Sequence, residues 1–247
     1  MNKTYLNWSS GKDSALALYY SLQNDNLKVE KLFTTLNKEV DRVTMHGVRR
    51  ELLLKQAEAL DLPIMISELD TQVSMEAYNC TMQNATARLK DEGYTHSLFG
   101  DIFLEDLRKY REQQLAETGI IAEFPLWKKN THGLMQEFIQ LGFKAIVVCT
   151  SSKYLDDSFC GRIIDEKFLS DLPENVDPCG ENGEFHTFVF DGPIFKEPVQ
   201  YEVGEKVRRS YKPAGNKEDN CFKTDDCFKE ETASWDIEFC FCDLLPM

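Results

Sequence analysis

Two periodicities alternate along the first 150 residues. Short apolar or alternating runs at Thr4–Trp8, Lys31–Leu36, Pro63–Leu69, Ser97–Ile102, Ile121–Leu126 and Lys144–Thr150 predict strands. Between them, Ser14–Gln23, Arg49–Leu60, Met75–Glu92, Glu105–Thr118 and His132–Leu141 predict helices. In "RRELLLKQAEAL" the apolar residues fall at 52, 53, 54, 57 and 60, with charge on the other side. Gly93 and Gly142 each end a helix just ahead of a strand. Strands alternating with helices of this length predict βαβ units and an α/β domain built on a parallel sheet.

After Thr150 the rhythm changes. An expected helix, "GRIIDEKFLSDL", runs into the Pro/Gly/Asn-rich "PENVDPCGENGEFHT". Strand-like pieces follow in "HTFVFDGPIF", "PVQYEVGEKV" and "WDIEFCFCDLL". The polar stretch at about 208–234 is poor in aliphatics and predicts an exposed loop with partial disorder. Residues 151–247 therefore read as a smaller α+β domain.

Composition narrows the class. No run approaches the ~20 apolar residues of a membrane span, and the N-terminus lacks the apolar core of a secretory signal. A cytoplasmic protein is expected. Eight cysteines then read as reduced thiols, and their spacings do not resemble a zinc site. Cys240 and Cys242, at period two, are expected on one face of a strand. A formal charge of −14 with no dense basic run argues against a nucleic-acid partner.

The chemistry concentrates in "NWSSGKDSALAL" (7–18), which joins the first expected strand to the first expected helix. Ligands of parallel sheets bind outside the carboxyl ends of the strands. Backbone N–H groups around Gly11 and the helix start can face an anion; Ser9, Ser10 and Ser14 add hydroxyls, and Lys12 a positive charge. Asp13 suits a helix cap, or a place where Mg²⁺ lies between two anions. The G-x-x-x-x-G-K-[ST] loop is absent, since no glycine lies five residues before Gly11. A plain N-cap of Ser or Asp ahead of an apolar helix is the structural alternative.

The spacing resembles the PP-loop, S-G-G-x-D-S, of the N-type ATP pyrophosphatases, with Ser10 at the second position in place of glycine. In that family the loop holds the pyrophosphate of ATP while the α-phosphate is attacked, giving AMP and PPi. Three further stretches, "MHGVR" (45–49), "GDIFLEDLRKYRE" (100–112) and "DPCGENGEFHTFVFDGPIF" (177–195), resemble the diphthine–ammonia ligase family. The resemblance implies a Rossmann-like sheet of the adenine nucleotide alpha hydrolase-like (HUP) type over residues 1–150, as a PP-loop ATP-binding domain. A smaller C-terminal α+β domain, 151–247, would bind substrate. The implied activity is an ATP-dependent amide ligase: a carboxylate is adenylated, and ammonia then displaces AMP. ATP and Mg²⁺ are the implied cofactors. A small-molecule or protein-borne carboxylate and ammonia are the implied partners, with no nucleic acid and no membrane; a homodimer is compatible. Where family members carry G-E-G-G-E-x-E-T this chain has "GENGEFHT". Asn182 and His186 are the departures, typical of bacterial relatives. Bacteria do not make diphthamide, so the reaction type transfers more readily than the substrate.

On this reading Lys12, Asp13, Glu184 and His186 serve catalysis. Ser9, Ser10, Gly11, Lys12, Ser14 and Gly100 hold ATP, Asp13 and Asp101 hold Mg²⁺, and His46, Asp101, Arg108, Arg111 and Glu181 face the substrate. Gly100 could bring its backbone against adenine. Arg108 and Arg111, three apart on a helix, could clamp a phosphate or carboxylate. Each has a plain alternative: a solvated acidic turn for Glu181 and Glu184, a structural His186, a surface His46, arginines facing water. Two other functions stay open, a tRNA-modifying PP-loop enzyme and a non-catalytic adenine-nucleotide sensor.

Overall fold

A computed structural model describes residues 1–71, 73–211 and 237–247. The first sheet contains β1 (Asn2–Asn7), β2 (Leu27–Asn37), β3 (Arg42–Val43), β4 (Ile64–Leu69), β5 (His96–Leu98) and β6 (Ile121–Glu123). All its pairings are parallel except the two-residue contact of β3 with the end of β2. Both β1 and β4 pair with β2 at Leu32 and Phe33, so they flank it on opposite sides. The parallel order is therefore β4-β2-β1-β5-β6, and it reverses between β1 and β5. Crevices at such a reversal receive ligands in open α/β sheets.

The helices are α1 (Lys12–Leu22), α2 (Arg50–Ala59), α3 (Met75–Asp91), α4 (Glu105–Ala116), α5 (Thr131–Gln140) and α6 (Glu166–Asp171). Each of the first five lies where the apolar period places it. The expected helix at 161–172 shortens to α6, because Ile163 bridges to Ile146 and Asp165 caps the turn by accepting from Phe168 N–H at 2.7 Å. Leu89 of α3 and Leu115 of α4 pack with Tyr5, Phe33 and Phe99 on one face of the sheet. On the other face Leu16, Leu52, Leu53, Met135 and Phe138, from α1, α2 and α5, share a single core with the second sheet.

That second sheet is antiparallel, ordered β8-β7-β10-β9, from β7 (Lys144–Ser151), β8 (Phe185–Asp191), β9 (Tyr201–Tyr211) and β10 (Ile237–Pro246). Lys144–Thr150, expected in the parallel sheet, belongs here instead. After Lys144 every residue of β7 is buried, and a strand covered on both faces reads the same in either kind of sheet. Residues 208–211, expected in the polar loop, extend β9. The rest of that expected loop lies outside the described residues. Cys240 and Cys242 are both buried and lie on one face of β10. Among the described residues no helix is long and apolar enough to cross a membrane.

Candidate active site

The Ser9–Ser14 loop leaves β1 at the reversal point and opens α1. The N-cap of α1 is Gly11, and no side chain caps it. By contrast, Ser74, Asn130 and Asp165 cap α3, α5 and α6 with their side chains. The plain N-cap alternative is therefore not what the loop builds. The first turn of a helix left uncapped presents amide donors and the positive end of the helix dipole.

The loop is held from three sides. Ser9 Oγ accepts from Gly11 N–H at 3.3 Å and lies 3.2 Å from Ser14 Oγ, which itself donates to Gly11 O at 2.8 Å. From β8, Thr187 Oγ1 accepts the Lys12 N–H at 3.1 Å, and Val189 N–H donates to Ser10 O at 2.9 Å. From α2, Gln56 Nε2 donates to Ser10 O at 3.1 Å and to Val189 O at 2.6 Å, while its Oε1 accepts from Trp8 Nε1 at 2.9 Å. Ser10 sits at φ 72°, a left-handed conformation that glycine adopts freely and serine does not, and its buried hydroxyl has no partner. The resemblance to S-G-G-x-D-S thus departs at a position whose backbone is glycine-like.

Lys12 is 2% exposed. Its ammonium donates to both Asp13 carboxylate oxygens, at 2.9 and 2.8 Å, and to Cys179 O. Burial is the strongest single influence and opposes its charge, but Asp13, Cys179 and Glu181 together outweigh burial and hold the proton on. Burial pushes the Asp13 carboxyl upward against Lys12, with Asp177 and Asp101 adding to the rise. Gly100 ends the stretch after β5 against the start of α1. A β-carbon there would lie 2.9 Å from Asp13 C and 3.0 Å from Ser14 N, so the missing side chain admits the helix start itself. Asp101 pairs with Arg111 Nε at 3.0 Å.

The 177–184 segment closes over the loop. Glu184, 1% exposed, accepts from Asp177 N–H at 3.0 Å, Asn182 N–H at 2.9 Å and Asn182 Nδ2 at 3.0 Å. Expected to serve catalysis, it is occupied in shaping the turn. Glu181 Oε1 accepts from Ile102 N–H at 2.7 Å and Phe103 N–H at 3.4 Å, tying the segment to the loop after β5. Burial and then Asp13 raise its carboxyl to about 8. His46 and His186 come together, ring centroids 4.7 Å apart. His46 Nδ1 donates to Thr187 O at 2.9 Å, whereas the buried His186 Nε2 has no partner. Burial, with Lys12 nearby, lowers His46 to about 4, and burial and His46 lower His186 well below the usual histidine range. Both imidazoles are neutral at pH 7. The arginines separate: Arg111 joins Asp101, while Arg108 lies over the Phe124 and Trp127 rings at 4.8 and 4.6 Å and pairs with Glu112. Sequence reasoning missed Gln56, although a glutamine on the apolar stripe of α2 is itself a signal of a buried polar contact. It also missed Thr187, whose role depends on pairing across the chain.

A reversing parallel sheet with a loop and a buried lysine at the reversal defines a Rossmann-like α/β protein. Comparison with known proteins specifies the family. The diphthamide synthase N-terminal domain matches residues 2–122, and the diphthamide synthase C-terminal domain matches 130–215. The diphthine–ammonia ligase of Bos taurus is 36% identical over 90 residues, 34% of each chain. That of Schizosaccharomyces pombe is 24% identical over 227 residues, 82% of this chain and 36% of the yeast one. The chain thus spans about a third of the length of these curated relatives in the match. It belongs to the diphthamide synthase family.

Proposed function

We propose that the protein is an ATP-dependent, AMP-forming ligase that joins ammonia to a carboxylate, with the Ser9–Ser14 loop as its ATP site. The observation that carries this is the uncapped start of α1, with Lys12 charged beside it and the 177–187 segment closed over it. The residues present fit the group: amides of the first turn after Lys12, whose own N–H goes to Thr187 Oγ1, the unpartnered Ser10 hydroxyl and the Lys12 ammonium are donors suited to phosphate. Bound ATP would supply an α-phosphorus open to attack and pyrophosphate as leaving group. Among the described residues no three His, Cys, Asp or Glu side chains converge as a metal site. Asp13 and Asp101 would hold Mg²⁺ as a pair, with its other ligands from phosphate and water, which suits this cation.

In the first step a carboxylate oxygen bonds to the α-phosphorus and the bond to pyrophosphate breaks. In the second, nitrogen would bond to the acyl carbon as the bond to AMP breaks, and the proton lost by nitrogen would pass to solvent. His186 Nε2, neutral and unpartnered, can accept an N–H of the incoming ammonia. Its depressed basicity makes it an acceptor rather than a store for the proton. Glu181 and the Asp101–Arg111 pair would face the substrate. Arg108, turned onto Phe124 and Trp127, would act from further out.

The experiment is product analysis with MgATP, ammonium and a pool of carboxylates. AMP and PPi are expected, and ADP with phosphate would overturn the assignment. Lys12→Met should abolish AMP formation while the circular dichroism spectrum is kept; full activity in that variant would mean the loop is not the ATP site.

A further inference from the structure

The "MHGVR" turn between β3 and α2 contains an arginine to which the proposed reaction gives no task. Arg49 reaches Asp243 on β10, Nη2 to Oδ2 at 2.6 Å and Nε to Oδ1 at 3.1 Å. From the other end of the turn Arg42 Nη1 donates to the same carboxylate at 2.7 Å, and also to Gly47 O at 2.7 Å. Phe241, two residues before Asp243, lies where a β-carbon on Gly47 would be 3.0 Å away. The turn is thus fastened to the last strand from both ends.

The fastening has something to hold. Within the turn Met45 and Gly47 have left-handed backbones, at φ 65° and 70°, and Met45 carries a side chain there. Such strain persists only where surrounding contacts over-determine it. The turn delivers His46, whose ring contacts His186 and whose Cε1 is 2.6 Å from the place of a Gly11 β-carbon. Without the carboxylate, Arg42 and Arg49 would face one another as like charges, and the turn would open.

We propose that Asp243 is a positioning residue: by drawing Arg42 and Arg49 together it fixes the "MHGVR" turn so that His46 lies over Gly11 of the Ser9–Ser14 loop. Its functional meaning rests on the nucleotide reading above, but the geometry can be tested on the imidazole alone.

The sequence has four histidines, at 46, 96, 132 and 186, few enough to follow individually by ¹⁵N imidazole NMR over a pH titration of the full chain. In the wild type, His46 should titrate near 4. In Asp243→Asn its midpoint should rise by roughly one to two pH units toward the ordinary ~6.5, and Asp243→Glu should bring it back down, with His96 and His132 unmoved. Should Asp243→Asn fail to fold, Arg49→Met keeps the Arg42 contact and should move His46 the same way by less. An unchanged His46 midpoint in a folded variant overturns the proposal, as does a common shift of all four histidines. ATP titrated into the same wild-type sample separates the two ideas. Absence of ATP-induced shifts would sink the nucleotide reading and leave the His46 result standing.

Discussion

Ser10 carries the tension of the site in one residue. Its backbone is left-handed, its carbonyl accepts from Gln56 and Val189, and its hydroxyl is buried without a partner. A non-glycine residue in this region costs on the order of 1 kcal/mol or more. Ser10→Gly should therefore raise stability by about 1 kcal/mol, read as a higher urea midpoint with unchanged slope. An equal or lower midpoint would mean that the surrounding bonds have already relieved the strain. The chain's serine motif shows which residue departs from S-G-G-x-D-S, but not that its backbone is strained, because φ is set by partners about fifty and nearly two hundred positions away. The same holds for His46 and His186. Each is legible as a candidate, but their ring contact and shared neutrality come from tertiary burial.

Among the elements, the 177–184 turn depends on Glu184, which accepts three N–H groups. Glu184→Gln keeps the shape but turns one acceptor into a donor facing other donors. The loss should be ~1–3 kcal/mol, with faster hydrogen exchange at Asp177 and Asn182. Unchanged exchange together with lost product would assign Glu184 to the chemistry instead. The helices were legible because each carries a one-sided stripe, as α2 does with Leu52, Leu53 and Ala57 buried and Glu51 and Glu58 outside. Two-residue β3 has no period to read. The sheet membership of β7 was hidden because burial on both faces removes the alternation that would have marked it. Glu184, too, looked like a free acid on a Gly/Asn turn, and only the closed turn shows its oxygens engaged.

For the whole molecule, the Asp243 link between the first unit and the last strand sets a pH dependence. Burial would raise this carboxyl, but the bonds from Arg49 and Arg42 override it and hold it at about 2, below its ordinary 3.8. A lowered carboxyl contributes stability that is complete above about pH 4 and fades as pH falls toward 2. With the side chain 19% exposed, the contribution is ~2 kcal/mol. Urea midpoints of wild type and Asp243→Asn should differ at pH 5 and converge near pH 2; a gap independent of pH would mean the charge plays no part. The parallel sheet was readable from the strand–helix rhythm, whereas its reversal and the closing of the second sheet over the loop were not, since strand order and a contact between residues 175 positions apart leave no local pattern. That separation has a consequence for the order of synthesis. At ~5–20 residues per second, roughly ten to thirty seconds pass between the emergence of Lys12 from the ribosome and that of Thr187. Throughout that interval the nascent N-terminal sheet carries a loop that still lacks its partners Thr187 and Val189, so its final shape is acquired only after β8 has been made.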